Sequence, residues 1–415
     1  MERIKKKKLL IHSLVFSPDA VSTAYLYNEI AIGFTQADYE VTVLTTTPHY
    51  NIINDLLLKQ PLEKKLYGLY FISYFNGIKV IHVPIIKFKS TFFRILSFIY
   101  WHLFSFFIAI SIKKIDYVLS PSPPLSIGLV SILVGKIKNA KVVYNVQEIY
   151  PDLLINHGSI KSKILITILK KLETYIYNNS DTVITIDQIF YNRIINKFKY
   201  PNKLKIITNF VDTNLFINSR NENNLNNNIF NKFDKTIILY AGNIGYYQDW
   251  DPILYAAKKL IDTEIEFWII GEGVMKNTLT NKILEDNITN IKIFPYQDRN
   301  KITEINLKAD IHFISISKKM ENDGFPSKVY TSMASKKPLI VITGNNTPLF
   351  NFLNTLNCSI LITDNRNEKF LDAINLLRSN NKLRLELGEN GFVEINKNYT
   401  KNIIIKKYIE LFNQL

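Results

Sequence analysis

The segment MENDGFPSKVYTSMASKKPLIVITG places one lysine where an anion would be held. Gly324 and Pro326 open what should be a helix, and Ser327 and Lys328 then stand at its positive end, with proline suited to the first turn. An ammonium beside unsatisfied backbone amides is a setting for a diphosphate; the competing reading is a solvated surface lysine. A second segment, IILYAGNIGYYQDWDPILYAAKKL, runs from a strand through Gly242 and Gly245 towards a helix. Glycines there let backbone approach a phosphate, although turns of this composition also join strands to helices with no ligand present. For proton transfer the candidates are Glu148 and Asp152 in VQEIYPD, at a strand end, and His49 in TPHYN. Each can orient a hydroxyl or take its proton; each also has a plain reading as a turn-forming acid, a helix cap or a loop histidine satisfied by backbone. Asp249 and Asp251 form an acid-x-acid pair at a predicted helix start, where carboxylates favour capping. No histidine pair stands at helical spacing, so no metal is expected.

The elements that must position these residues are short β-branched runs alternating with helix-length stretches, the pattern of a parallel sheet covered on both faces. Strands are expected at 9–16, 41–46, 80–84, 117–120, 142–146 and 183–186, and again at 237–241, 266–270, 291–295, 311–316, 339–342 and 360–363. Between the sets lies SRNENNLNNNIFNKFDK, too polar and Asn-rich to build a core. The fold class is therefore α/β, two doubly wound Rossmann-like domains facing across a cleft: 1–218, a linker at 219–235, and 236–396, followed by a C-terminal helix at 397–415 able to pack back on the first domain. A chain of 415 residues exceeds the roughly 250 to 300 at which one core stops growing. Cys358 is the single cysteine, which excludes a disulfide framework and a thiolate metal cluster.

Lys and Arg number 51 against 36 Asp and Glu, a formal charge of +15. Such a surface attracts nucleic acid, acidic lipid or phosphorylated small molecules, but no nucleic-acid recognition motif accompanies it. Lys5 to Lys8 precede the first strand, and no secretory signal follows them. Phe92 to Ile112 is long enough to cross a bilayer, yet Arg94, His102 and its aromatic load suit a protein core or a membrane interface better.

Taken in order, FSPDAVSTAYLYNEIA, EVTVLTTTPHYN, SPSPPLSIGL, VQEIYPD, DTVITID, IITNFVDTNLF, YAGNIGYYQDW, IIGEG, ADIHFISI and PSKVYTSMASKKPLIV resemble the retaining glycosyltransferases of the two-Rossmann-domain (GT-B) type, in the branch related to bacterial fucosamine and colanic-acid transferases. The resemblance implies a nucleotide diphosphate-sugar donor held by the C-terminal domain through Asn243, Gly245, Gln248, Gly271, Gly273, Asp323, Ser327, Lys328 and Thr331. It implies an acceptor, lipid-linked or oligosaccharide, met by Asp19, His49 and Glu148, with Glu148, Asp152 and His49 as catalytic candidates. No cofactor or metal and no nucleic acid is expected. The setting implied is surface-polysaccharide assembly at the cytoplasmic face of the inner membrane, with peripheral contact. The chain departs from the family where two acids usually stand eight positions apart, here Asp323 and Thr331, and Thr331 offers only a neutral hydrogen bond to a ribose. Tyr246, Tyr247 and Gln248 replace the base often found after the glycine turn, leaving Lys328 nearly alone with the diphosphate. Ala20, Ser22 and Ala24 replace glycines of the first loop. A nucleotide-sugar epimerase or a catalytically silent sugar binder on the same scaffold are the competing functions.

Overall fold

The computed structural model describes residues 6–86, 88, 90–156, 160–221, 234–321 and 325–415. Lys5, most of the Asn-rich stretch, Asp323 and Gly324 lie outside the described residues. The chain divides into two compact units, Met1–Asn209 with Ile404–Leu415, and Phe210–Ile403.

Among the described residues, the first unit is built on a sheet of nine strands: β1 Lys8–His12, β2 Glu40–Thr46, β3 Glu63–Lys65, β4 Tyr70–Phe75, β5 Ile78–Val83, β6 Tyr117–Ser122, β7 Lys141–Val146, β8 Thr182–Thr185 and β9 Leu204–Ile206. The spatial order is β3-β4-β5-β2-β1-β6-β7-β8-β9. All neighbours run parallel except β3–β4 and β4–β5. The central strands are apolar on both faces because helices cover both, which is why they read as continuous hydrophobic runs. The antiparallel edge escaped the sequence reading, although its signal was present: Asn76-Gly77 takes φ of 47° and 79° in the tight turn from β4 to β5. From Ile404 onward the last helix, Lys401–Gln414, belongs to this unit. Phe412 packs edge-on against Phe34 at 4.7 Å, Ile405 fills the space that Gly33 leaves, and Asn145 donates to the Tyr408 hydroxyl at 2.5 Å.

The helix Thr91–Ser111 packs along one side only. Trp101, Ser105 and Ala109, at four-residue spacing, are buried, whereas Phe92, Leu96, Ile99, Leu103 and Phe107 are exposed.

The second unit holds a sheet of six parallel strands among the described residues: β10 Thr236–Ala241, β11 Ile265–Ile270, β12 Ile291–Phe294, β13 Ile311–Ser315, β14 Leu339–Ile342 and β15 Ser359–Ile362, ordered β12-β11-β10-β13-β14-β15. Its core joins Ile238, Phe267, Ile269, Phe313, Ile340 and Phe370. Each of the twelve expected strands is present within a few residues. The chain order reverses between β10 and β13, so the loops at their carboxyl ends splay apart, and that is where an open parallel sheet takes a ligand.

Candidate active site

In the second unit the loop after β10 is held by its own side chains. The Tyr240 hydroxyl donates to the Asn243 carbonyl at 2.6 Å, and the Gly245 amide donates to Gln248 Oε1 at 3.0 Å. The glycine turn does not run directly into a helix as expected; the helix begins at Asp251, with Pro252 in its first turn. The Gly245 amide is thus engaged within the loop, and the helix amides stand several residues further on. Gly271 and Gly273, after β11, have φ of 152° and 158°. A Cβ on Gly271 would lie 1.9 Å from the Gly242 carbonyl oxygen, and one on Gly273 would lie 2.2 Å from that of Ile244. Both glycines are required because the two strand-end loops meet backbone to backbone, with Gly242 N donating to Ile270 O and Ile244 N to Glu272 O, each at 2.9 Å.

Lys328 begins the short helix Lys328–Ala334, and Ser327, exposed before it, makes no side-chain cap. Its Nζ is buried without a hydrogen-bond partner among the described residues, 3.8 Å from the centre of the Tyr240 ring and beside Gly242. Desolvation pushes its pKa down to about 7. The π-face of Tyr240 attracts an ammonium but accepts no conventional hydrogen bond, so an anion reaching this point would meet a cation that no described residue hydrogen-bonds. Thr331 lies one turn further along the same helix. The ring of Tyr240, which sequence reasoning passed over as strand core, forms the floor under the lysine.

Asp249 and Asp251 meet different partners. Its carboxylate meets Arg366 Nη1 at 3.0 Å, while Asp251 is exposed and 3.6 Å from Lys282. Arg366, itself buried, also donates to the Ile316 carbonyl at 3.0 Å and through Nη2 to Glu321 at 2.8 Å. One guanidinium therefore ties the loop after β10 to the loop after β13, the segment that leads to Lys328. Gly344 makes room for this, since a Cβ there would lie 2.5 Å from the Glu321 carboxyl group. No local motif marks Arg366, because its partners are more than 40 residues away.

In the first unit the carboxyl-end loops gather Asp19, His49, Tyr50, Glu148 and Tyr150. Asp19, buried, accepts from the His49 and Tyr50 amides, both at 2.7 Å, and so fixes the turn that carries the histidine. His49 Nδ1 is 3.0 Å from both the Thr47 carbonyl and Thr46 Oγ1, whose own hydrogen goes to Leu14 O. These partners put the ring hydrogen on Nδ1 and make Nε2 the basic nitrogen. Glu148 is half-buried, and its desolvation raises the carboxyl pKa against a hydrogen bond from Tyr150 that lowers it. Ser122, at the end of β6, accepts from the Gln147 and Glu148 amides at 3.1 and 3.3 Å and donates to the Glu148 carbonyl at 3.0 Å. Desolvation, with the Glu148 carboxylate beside it, pushes the Tyr150 hydroxyl pKa up. Asp152 is given a structural task instead: it heads the helix Asp152–Asn156 and pairs with Lys197 at 3.1 Å, and Lys197 also meets buried Glu173 at 2.9 Å. Its reading as a catalytic acid gives way to that of a helix-start ion pair.

Two Rossmann-like parallel-sheet units in succession are the fold of the GT-B glycosyltransferases. Residues 222–393 match the family described as Glycosyl transferases group 1. The chain is a glycosyltransferase of this type, related to the colanic-acid branch. It is 26% identical over 245 residues to the glycosyltransferase WbjE of Pseudomonas aeruginosa, a match spanning 58% of this chain and 60% of that protein's length. It is 23% identical over 339 residues to the colanic acid biosynthesis glycosyl transferase WcaI of Escherichia coli, covering 79% of this chain and 81% of WcaI. The Anabaena Alr3699/HepE structure, in complex with UDP and glucose, superposes with a TM-score of 0.72 at 13% identity over 99% of this chain and all of that one, a likeness of fold.

Removing Arg366 would leave Asp249 and Glu321 as uncompensated, largely buried carboxylates. Arg366→Ala should lower stability by about 3 to 5 kcal/mol, and Arg366→Lys by less, read from urea unfolding of the full chain. Unchanged unfolding in the alanine variant would show that the clamp carries no energy.

Proposed function

We propose that the chain transfers a sugar, with retention of anomeric configuration, from a nucleotide diphosphate donor held by the second unit to a hydroxyl of a lipid-linked or oligosaccharide acceptor held by the first. The product is a bacterial surface polysaccharide such as capsule or O-antigen. A UDP-linked donor is favoured by the HepE likeness, that protein being held with UDP and glucose; the polysaccharide setting is favoured by WcaI, which is named for colanic acid biosynthesis. The observation that carries the reading is the Lys328 ammonium, its Nζ buried beside Gly242 without a hydrogen-bond partner among the described residues.

When the glycosidic bond to the diphosphate breaks, negative charge grows on the leaving oxygens. Lys328 stands where that charge is met, in a desolvated site where a fixed cation counts for more than in water. At the acceptor, Glu148 or His49 Nε2 orients the attacking hydroxyl or accepts its proton, and Ser122 and Asp19 hold those groups in place through the backbone. With the leaving charge assigned to a side chain, the reaction needs no metal ion. Turnover should survive excess EDTA; loss of activity that manganese or magnesium restores would overturn this assignment. An epimerase would act on the donor in isolation, so product analysis with donor alone separates the two reactions.

Lys328→Ala should lower kcat on the order of 100-fold to 1000-fold, the usual loss for one preorganised electrostatic donor, while far-ultraviolet circular dichroism and the unfolding midpoint stay close to wild type or rise. A rise is physically reasonable because the substitution removes a desolvated charge. Wild-type turnover in the folded variant would overturn the donor-site assignment.

The depressed pKa makes a further demand. Below about pH 7 the free enzyme already carries the ammonium; above it Lys328 is largely neutral, and a diphosphate must restore the proton as it binds. Nucleotide diphosphate affinity should therefore fall as pH rises above about 7, with proton uptake approaching one per site at pH 8 to 9 and near zero at pH 6, measured by titration calorimetry in buffers of differing ionisation enthalpy. Uptake that is the same in Lys328→Ala would place the titrating group elsewhere. The same shift acts on folding with the opposite trend: the unfolded chain keeps its proton to about 10.5, so this group's contribution to stability grows between pH 7 and 10.5.

A further inference from the structure

Residues 51–65 are all described, and Gln60 is the one buried residue among them. It follows the short helix Asn54–Lys59, which buries none of its own residues, and its backbone amide closes that helix by donating to the Leu56 and Leu57 carbonyls at 3.1 and 3.2 Å. A glutamine side chain taken out of water at one point of an exposed segment needs partners there, because each buried polar group left without one is costly. Gln60 finds them on two other segments. The Ser17 hydroxyl donates to its Oε1 at 2.6 Å, and its Nε2 donates to the Ser17 carbonyl at 3.1 Å and to Ser73 Oγ at 2.8 Å. Ser73 Oγ is 2.8 Å from His82 Nε2, and His82 Nδ1 is 2.9 Å from the Thr46 carbonyl. One placement of hydrogens fits throughout. A carbonyl only accepts, so the Thr46 contact puts the His82 hydrogen on Nδ1, which leaves Nε2 to accept from Ser73 and Ser73 Oγ to accept from Gln60. Ser17, Thr46, Gln60, Ser73 and His82 are all buried. Burial pushes the His82 pKa down to about 4, so the ring is neutral and the order holds around neutral pH.

The two ends of this network are the two supports of the turn that carries His49. Ser17, whose amide donates to Asn28 Oδ1 at 3.0 Å, stands two residues before Asp19, and Asp19 accepts from the His49 and Tyr50 amides. Thr46, the last residue of β2, has its hydroxyl 3.0 Å from His49 Nδ1. Phe16 and Phe75 meet edge-on at 5.5 Å, so the loop after β1 is packed against the antiparallel edge as well as hydrogen-bonded to it. We propose that Gln60 is a positioning residue: by holding Ser17 directly, and Thr46 through Ser73 and His82, it fixes the turn that presents His49 Nε2 to the acceptor. This deepens, and rests on, the reading of His49 as an acceptor-side group. A neutral hydroxyl gains most from a partner already held at the right angle, and small misplacements of such a partner are costly to the rate.

The test reads the histidine ring nitrogens by nuclear magnetic resonance in the full chain labelled with nitrogen-15 histidine, His49 and His82 being assigned through His49→Gln and His82→Gln. Wild-type His49 should carry its hydrogen on Nδ1. Gln60→Met keeps the volume of the side chain and removes all of its hydrogen-bonding groups, and in it the ratio of the Nδ1–H to the Nε2–H form of His49 should fall on the order of 5-fold, about the net worth of one hydrogen bond. Ser73→Ala cuts the link to His82 while leaving Gln60 on Ser17, and should shift His49 in the same direction by less. Ile184→Val, in buried β8 and outside the network, is the control for stability alone: it should lower the unfolding midpoint and leave the His49 signals where they are. An unchanged His49 spectrum in folded Gln60→Met would overturn the proposal, as would an unchanged spectrum in Ser73→Ala should the methionine variant not fold, or an equal change in Ile184→Val. The spectrum needs neither donor nor acceptor, so it stands apart from the transfer reading. A shifted His49 ratio with transfer at the wild-type rate would remove His49 from the reaction while leaving its turn under the control of Gln60.

Discussion

At the switch point of the second unit stands a lysine whose Nζ no described residue hydrogen-bonds. Taking an ammonium out of water is costly, and a protein ordinarily repays the cost with a carboxylate or leaves the tip of the side chain in solvent. Among the described residues Lys328 does neither: its stem is partly exposed and its Nζ is buried over the Tyr240 ring. Everything near it preserves that state. Gly242 has no side chain to occupy the space beside the ammonium, and the Gly271 and Gly273 backbones press the neighbouring loop against the one that Gly242 begins. The Tyr240 hydroxyl is spent on the Asn243 carbonyl, so the ring offers its face rather than its oxygen. On the donor-site reading proposed above, such a site is unfavourable when empty and becomes favourable when the diphosphate enters.

Arg366 provides the contrast within the same unit. It too is buried, but two carboxylates and a carbonyl share its guanidinium, and what it contributes is fixed distance between the loops after β10 and β13. The planar fork suits that task, because several partners can be held at once in defined directions; a lysine is suited to a single, replaceable anion. The two cations thus divide the work of the switch point. One sets the geometry of the loops, and the other is the cation proposed to meet the diphosphate.

Much of the fold was legible because parallel strands covered on both faces must be apolar throughout, and runs such as KVVYNV and LIVI announce themselves. The β3–β4 edge was not, since EKK and YFISYF have the charge and the mixed burial of an exposed edge and only the Asn-Gly turn gives them away. Lys328 was legible through its glycine, proline and serine neighbours. Its partnerlessness was not, because burial of an Nζ depends on a strand almost ninety positions earlier. Asp152 shows the reverse limit: a carboxylate at a strand end reads the same whether it faces a ligand or Lys197, and only the fold supplies the lysine. Gly271 and Gly273 enter as donor-binding positions only through the resemblance, whereas the carbonyls that would meet their Cβ atoms give them a packing reason of their own.

The polar cluster of the first unit follows a different logic from Lys328. There the charged and hydrogen-bonding groups are satisfied through backbone, Asp19 by two amides and the Glu148 main chain by Ser122, so the loops are stiff before any acceptor arrives. A hydroxyl acceptor is neutral and brings little electrostatic energy of its own, so its site gains most from groups already held at the right angle. A diphosphate brings two or more negative charges, so its site can leave a cation unpaired and let the ligand complete it. The first unit is ordered around a satisfied carboxylate and the second around an unsatisfied ammonium, and each choice fits the charge of what the unit is proposed to hold.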